Sequence, residues 1–215
     1  MRFQCTNCLG VVAIDESEAG HAVACGHCSR VIVVPQTRLS PTAVLGDFVI
    51  EKELGRGGLA TVYLAHQISL DRSAALKVLF PQFSADREFI VSFIKEARVA
   101  AQLNHPNIVQ AYAVGEDEGI HYFAMEYVQG HTLKTLLANV GRLVVDRSLE
   151  ITREVATALD VAWTSTQLVH RDVKPDNIMV TESGQVKLAD LGLARAGSDL
   201  RESEETEILG TPQYI

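Results

Sequence analysis

The stretch Leu168–Ala194, LVHRDVKPDNIMVTESGQVKLADLGLA, decides how the rest of this chain is read. Apolar runs at Leu168–Val169, Ile178–Val180 and Val186–Leu188 bracket a polar loop and an acidic turn, a pattern of short strands that fixes the loop by burial on either side. Inside it stand His170, Arg171, Asp172, Lys174, Asn177 and Asp190, groups able to serve as base, phosphate ligand and metal ligand. Asp, Lys, Pro and Asn also gather in ordinary turns, so a lone HRD or DLG would carry little weight. Six such groups in this order carry much more.

Working outward, the 215 residues are 47% hydrophobic and 21% charged, the composition of a globular protein rather than a disordered one. A formal net charge of −8 argues against binding driven by neutralising nucleic-acid phosphates. No apolar run approaches a membrane span and no signal-peptide core opens the chain, so the expected compartment is the cytoplasm.

All four cysteines fall within the first 28 residues, as Cys5/Cys8 and Cys25/Cys28, spaced C-x2-C-x16-C-x2-C. Two such knuckles supply four soft ligands, the set tetrahedral Zn²⁺ prefers. Residues 1–35 resemble a small zinc ribbon, with short apolar strands and turns at Gly20 and Gly26. So short a segment cannot stabilise itself by burial alone, and metal would carry much of its folding energy. Redox C-x-x-C pairs and an iron–sulfur centre remain alternatives. His21 and His27 read as surface or supporting residues, since four thiols complete the ligand set. The expected metal is structural, with no position open to substrate. Residues 36–46 lack periodicity and read as a linker.

Phe48–Leu54 reads as a strand, and GRGGLATVYLA (Gly55–Ala65) as a glycine turn leading into a second strand. Such a turn can lay backbone N–H groups over phosphates, although an ordinary hairpin gives the same pattern. No Lys-Ser or Lys-Thr follows the glycines, which excludes a P-loop. Lys77 is a charge in the apolar strand Ala74–Leu79 and needs an anionic partner, unless it snorkels from an edge. A helix over Ser84–Leu103, with apolar Phe89, Phe93, Ala97, Ala100 and Ala101, places Glu96 near its buried face as that partner. A solvated helix residue is the other reading of Glu96. The buried strand Ile120–Val128 then runs through Gly130 into a helix at Leu133–Leu137, a connection suited to a hinge.

From Phe48 to Ile215 the chain resembles a eukaryotic-type Ser/Thr protein kinase of the kind found in bacteria. The resemblance rests on GRGGLATV, AALK, Glu96, HPNIV, MEYV, HRDVKPDN and DLG, with GTPQY at the C-terminus. It implies an α+β bilobal fold: an antiparallel-sheet N-lobe with one helix over residues 48–130, and a helical C-lobe from 131. It implies ATP and Mg²⁺ as cofactors, and Ser/Thr protein substrates. Gly55, Gly57 and Ala60 would cover the phosphates; Ala60 stands where the family usually has glycine. Leu54, Val62, Ala75 and Met179 would surround the nucleotide. Met125 would guard the back of its pocket, and Glu126–Val128 would meet the adenine edge. Lys77 would hold the phosphates, oriented by Glu96. Asp172 would be the base, Lys174 would neutralise charge on the transferred group, and Asn177 and Asp190 would hold Mg²⁺. Lys174, two beyond the aspartate, marks the Ser/Thr rather than the tyrosine form. Leu191 replaces the usual phenylalanine and keeps an apolar plug.

Helix Leu149–Thr166 would turn Ile151, Val155, Leu159 and Ala162 inward, with Trp163 packed beneath the catalytic loop. The acidic segment 194–210 reads as a surface loop or an activation loop, with Thr206 ahead of Ser203 as a phosphosite and Thr211 facing substrate. The chain stops at Ile215, before the end that the resemblance implies for the activation segment, so a truncated large lobe with impaired transfer is expected. The alternative to a kinase is a catalytically inactive, ATP-binding scaffold. In either case the ribbon would take a protein partner, with no nucleic acid and no membrane segment involved.

Overall fold

The computed structural model describes residues 1–190 and the strand Arg195–Ala196. Leu191, Ser203, Thr206 and Thr211 lie outside the described residues, as does the segment 194–210 apart from Arg195 and Ala196. The chain divides into two units, Met1–Arg87 with Ala113–Tyr127, and Glu88–Tyr112 with Val128–Ile215.

The first unit opens with two antiparallel hairpins. β1 (Arg2–Gln4) pairs with β2 (Val11–Ala13), and β3 (Ala22–Ala24) pairs with β4 (Val31–Val33). Alternation turns Phe3 and Ile32 inward while their neighbours in β1 and β4 lie nearer the surface. The two C-x-x-C turns are local copies of one another. Leu9 and Ser29 both take left-handed backbone (φ 61° and 59°), and their N–H groups donate to the carbonyls of Cys5 and Cys25 at 2.9 and 2.8 Å. A small core of Phe3, Cys5, Cys25, Ile32 and Val34 joins the hairpins.

The sheet that follows has six strands in the order β5–β6–β7–β8–β10–β9: β5 (Val44–Leu45), β6 (Phe48–Arg56), β7 (Ala60–Gln67), β8 (Arg72–Leu79), β9 (Ala111–Asp117) and β10 (Ile120–Glu126). β5 falls in residues expected to be linker. Two residues are too few to show a period, and their extended state comes from pairing with Val49 and Phe48 of β6. β6 also runs two residues further than expected, into Gly55 and Arg56, through register shifts at Ile50/Lys52 and Glu53/Gly55. Glu118 and Gly119, both with positive φ, close the turn between β9 and β10.

α1 (Pro81–Ser84) ends this stretch, Pro81 supplying a first helical position that needs no N–H partner. In the second unit α2 (Arg87–Ala101) buries Phe93, Ala97 and Ala100. It starts later than Ser84 because Ala85 and Asp86 separate the two helices. β11 (Gly130–Thr132) leads into α3 (Leu133–Val140), where the Thr132 hydroxyl accepts from the Thr135 N–H and Gly141 (φ 74°) ends the helix. α4 (Val145–Thr166) buries Ile151, Val155, Ala158 and Ala162 against β12 (Leu168–Val169) and β14 (Val186–Leu188). It begins four residues before the expected Leu149. Leu159 is only half-buried, and Trp163 is 44% exposed rather than packed beneath the loop, because the buried positions of this half of α4 are taken by Ala158 and Ala162. β13 (Ile178–Thr181) pairs with both β11 and β14, and β12 pairs with β15 (Arg195–Ala196). Gly130 faces Val180 so closely that a Cβ would run into its carbonyl oxygen.

Candidate functional site

The loop from His170 to Asn177 is held between β12 and β13. Asp172 and Lys174 form an ion pair, with Oδ2 and Nζ 2.7 Å apart. The Asn177 Nδ2 donates to the Asp172 backbone carbonyl at 2.9 Å and to its carboxylate at 3.0 Å. Three of the expected residues are therefore joined by direct bonds. The fit to a hard cation can be judged from Asn177. Both of its hydrogen bonds leave through nitrogen, so among the described residues no donor engages its Oδ1. Asp190 presents an exposed carboxylate, and oxygen donors of this kind suit Mg²⁺. Arg171 and Asp190 both take left-handed backbone, at φ 65° and 60°. Non-glycine residues enter that region at a cost of about 1–2 kcal/mol each, and at these positions it re-aims the chain beside Asp172 and at the acidic turn.

His170 is buried beneath this loop. Its Nδ1 accepts from the Asp172 N–H at 3.3 Å, and its Nε2 faces the Ala189 carbonyl at 3.2 Å. These partners require a neutral ring protonated at Nε2. Burial holds its pKa below 6.5, against the opposing pull of the Ala189 carbonyl and the carboxylates of Asp190 and Asp172. The imidazole thus ties the base candidate to the residue preceding the metal-ligand candidate. His170 is conspicuous in the motif, but its linking role is not.

A second network escaped sequence reasoning altogether. The Glu154 carboxylate on α4 accepts from Asn107 Nδ2 at 2.7 Å and from the Val186 N–H at 3.1 Å, while Asn107 also donates to the Val186 carbonyl at 2.8 Å. HPNIV contains Asn107, but nothing near it points to a helix residue 47 positions away.

The expected nucleotide-contacting residues of the first unit occupy neighbouring strands. Gly55 is paired with Val62, Val62 with Lys77, and Ala75 with Met125, so β6, β7, β8 and β10 bring them side by side. Lys77 is half-buried in β8. Leu54 lies on the exposed end of β6, and Gly57 donates its N–H to the Ala60 carbonyl at 2.9 Å. Ala60 is buried in β7 opposite Leu79 without positive φ, so alanine suits this position and a glycine is not required. Glu126 ends β10. In the second unit Glu96 is half-buried on α2, Val128 is buried ahead of β11, and Met179 lies half-buried in β13.

The four cysteine sulfurs form a separate site. All lie within 4.8 Å of one another, with Cys5–Cys28 at 3.9 Å and Cys8–Cys25 at 3.8 Å. A tetrahedron with Zn–S bonds of about 2.3 Å has edges of about 3.8 Å, so the thiols fit zinc. The N–H groups of Asn7 and His27 point at the sulfurs of Cys5 and Cys25, each at 3.4 Å. The Arg30 backbone and the Asn7 amide hold the Cys28 thiol down at about 6. Against the Gly10 N–H, burial and the other thiols push Cys8 up to about 12. His27 bonds the Val11 carbonyl at 3.0 Å, which leaves it outside the ligand set.

Residues 48–215 match the protein kinase domain. The chain belongs to this family. It is 40% identical over 172 residues to the serine/threonine-protein kinase PrkC of Bacillus subtilis, covering 80% of this chain and 26% of that protein. It is 39% identical over 175 residues to PknA of Mycobacterium tuberculosis, covering 79% of this chain and 40% of that one. Among solved structures, the kinase domain of PknI from M. tuberculosis superposes with a TM-score of 0.61 at 38% identity, over 68% of this chain and 59% of that one. The bilobal α+β kinase fold is therefore that of this chain, which spans about a quarter to two fifths of the length of these curated relatives.

Proposed function

We propose that this chain transfers the γ-phosphoryl group of ATP to Ser and Thr hydroxyls of proteins. The observation that carries this reading is the bonded cluster of Asp172, Lys174 and Asn177. Asp172, fixed by two hydrogen bonds from Asn177 and one to His170, accepts the proton of the attacking hydroxyl at its carboxylate. Lys174 offsets charge on the phosphoryl group being transferred. The Asn177 Oδ1 and the Asp190 carboxylate would hold Mg²⁺, which neutralises the phosphates when bound. By the kinase resemblance, Lys77 would bind phosphate oxygens with Glu96 to orient it, and Gly55, Gly57 and Ala60 would cover them. By the same resemblance, Leu54, Val62, Ala75, Met125 and Met179 would exclude water from the adenine, whose edge would meet the backbone of Glu126–Val128.

The four cysteines hold a structural Zn²⁺ in a ribbon over residues 1–35, followed by a connector and the two lobes divided near residue 130. Val31 and Val33 are exposed on one hairpin, which supports a protein partner for the ribbon. The acidic balance disfavours nucleic acid, and no helix among the described residues is long and apolar enough to cross a membrane. These features support action in the cytoplasm.

The test is incubation of this chain with ATP, Mg²⁺ and a generic Ser/Thr protein. Radiolabel transfer that requires Mg²⁺ and vanishes in Asp172→Asn supports the reading. Mg²⁺-dependent ATP binding without any transfer supports the inactive scaffold instead.

A further inference from the structure

The cysteine ribbon is joined to the six-stranded sheet by a charge cluster centred on Asp117, at the end of β9. Its carboxylate accepts from Arg2 of the ribbon at 2.6 Å, from Arg38 of the connector at 3.2 Å and from the Gly46 N–H at 2.7 Å. Arg38 reaches further: its Nη1 lies 2.9 Å from the Glu118 carboxylate, and its Nε faces Glu16 of the ribbon at 3.7 Å. Arg2 also donates to the Gly46 carbonyl at 3.3 Å. Gly46 has no room for a side chain, since a Cβ would meet the Tyr122 hydroxyl. The side chains of Asp117 and Arg38 are only 12% and 14% exposed, so the centre of the cluster is largely desolvated, while Arg2, Glu16 and Glu118 form its solvent-facing edge. Burial opposes ionisation of Asp117, but Gly46 and the two guanidinium groups outweigh it and hold the carboxyl below its ordinary range.

The backbone adds a second joint. Phe3 bridges Ala43 antiparallel, and the Gln4 N–H donates to the Thr42 carbonyl at 2.8 Å. Thr42 in turn donates to Ile50 of β6 at 2.8 Å. A single bridge thereby ties β1 to the residues leading into β5, and the residue after Gln4 is Cys5.

We propose that occupancy of the cysteine site and order at the β5/β9/β10 end of the sheet are coupled through Asp117, making the ribbon a metal-dependent brace of the kinase sheet. The proposal rests on reading the four thiols as a metal site. A ribbon this small needs its ion to fix β1 and the Glu16 turn. Those two elements carry Arg2 and the anion facing Arg38. Without the ion, Asp117 loses partners that are costly to lose in a desolvated site. β10 starts beside this cluster at Ile120 and ends at Glu126, so the brace bears on the strand carrying Met125 and Glu126.

Coupling is reciprocal, so it can be read from the metal side. Zn²⁺ affinity is measured by competition with a chromophoric chelator on the full chain, on Asp117→Asn and on the milder Arg2→Gln. Both variants are expected to bind Zn²⁺ more weakly, by about tenfold for Asp117→Asn. An Asp71→Asn control, altering an exposed turn, stays at the original affinity. Zinc removal is also expected to speed backbone hydrogen exchange at Gly46 and Tyr122 in the unaltered chain, while Leu76 in the middle of the sheet stays protected. Unchanged affinity in both variants, or unchanged exchange at Gly46 on zinc removal, overturns the proposal. Failure of the unaltered chain to bind Zn²⁺ overturns the metal reading as well, and shows before any variant is compared.

Discussion

The His170 imidazole accepts the backbone N–H of Asp172 at 3.3 Å, so the placement of Asp172, the proposed base, depends on an unprotonated Nδ1. Protonation would turn that acceptor into a donor facing a donor. The folded-state pKa of His170 is lowered by burial, while the unfolded chain takes up its proton near 6.5. Below that pH the unfolded state binds more protons than the folded state, so stability falls on acidification through 6.5 and is flat above it. Urea unfolding at pH 7.5 and 5.5 should show this loss, and His170→Gln, which keeps a donor and an acceptor, should lack it. An identical pH slope in the variant would remove His170 from the account.

Asp172 and Asp190 should fail in different ways. Asp172→Asn retains the bonding geometry to Asn177 but removes the proton acceptor, and transfer should fall by about 10²–10⁴-fold with Mg²⁺-ATP affinity little changed. Asp190→Asn should weaken the Mg²⁺-dependent part of nucleotide binding. Single-turnover transfer and calorimetric titration separate the two, and equal loss of affinity in both variants would contradict the division of roles.

Asn107→Ala should cost about 2–3 kcal/mol, because it leaves the Glu154 carboxylate and the Val186 carbonyl short of a partner. Glu154→Gln keeps an acceptor and should cost less. Denaturant unfolding of the two variants checks the order.

A methyl group at Gly130 would collide with the Val180 carbonyl oxygen and lie 2.7 Å from the Thr181 Cα, both of which are backbone atoms in β13. Gly130→Ala should therefore destabilise the protein by about 1–3 kcal/mol. At Gly58 nothing lies within 4 Å and φ is not positive, so Gly58→Ala should change stability by no more than about 0.5 kcal/mol. Thermal melts of the pair give the comparison.

Cobalt provides the spectroscopic check on the thiols. One Co²⁺ per chain, with thiolate-to-metal charge-transfer bands and a tetrahedral ligand-field spectrum, is expected for four sulfur ligands. Cys25→Ser should weaken those bands, and His27→Gln should leave them intact, since His27 is bonded to Val11.

What the sequence determined by itself was local chemistry. Asp172, Lys174 and Asn177 lie within six positions, where the short chain between them keeps the groups within reach. Each cysteine pair likewise sits across one turn. The resemblance rested on the order of such local blocks, and the kinase fold followed from it. Tertiary structure alone decided the rest. Val44–Leu45 is a strand only because β6 supplies its partners. Glu154 meets Asn107 because α4 packs on β14. Asp117 gathers Arg2 from 115 positions away and Arg38 from 79. Each is an ordinary charged residue in its own stretch, and only closure of the chain over those distances removes the water that would otherwise screen one from another.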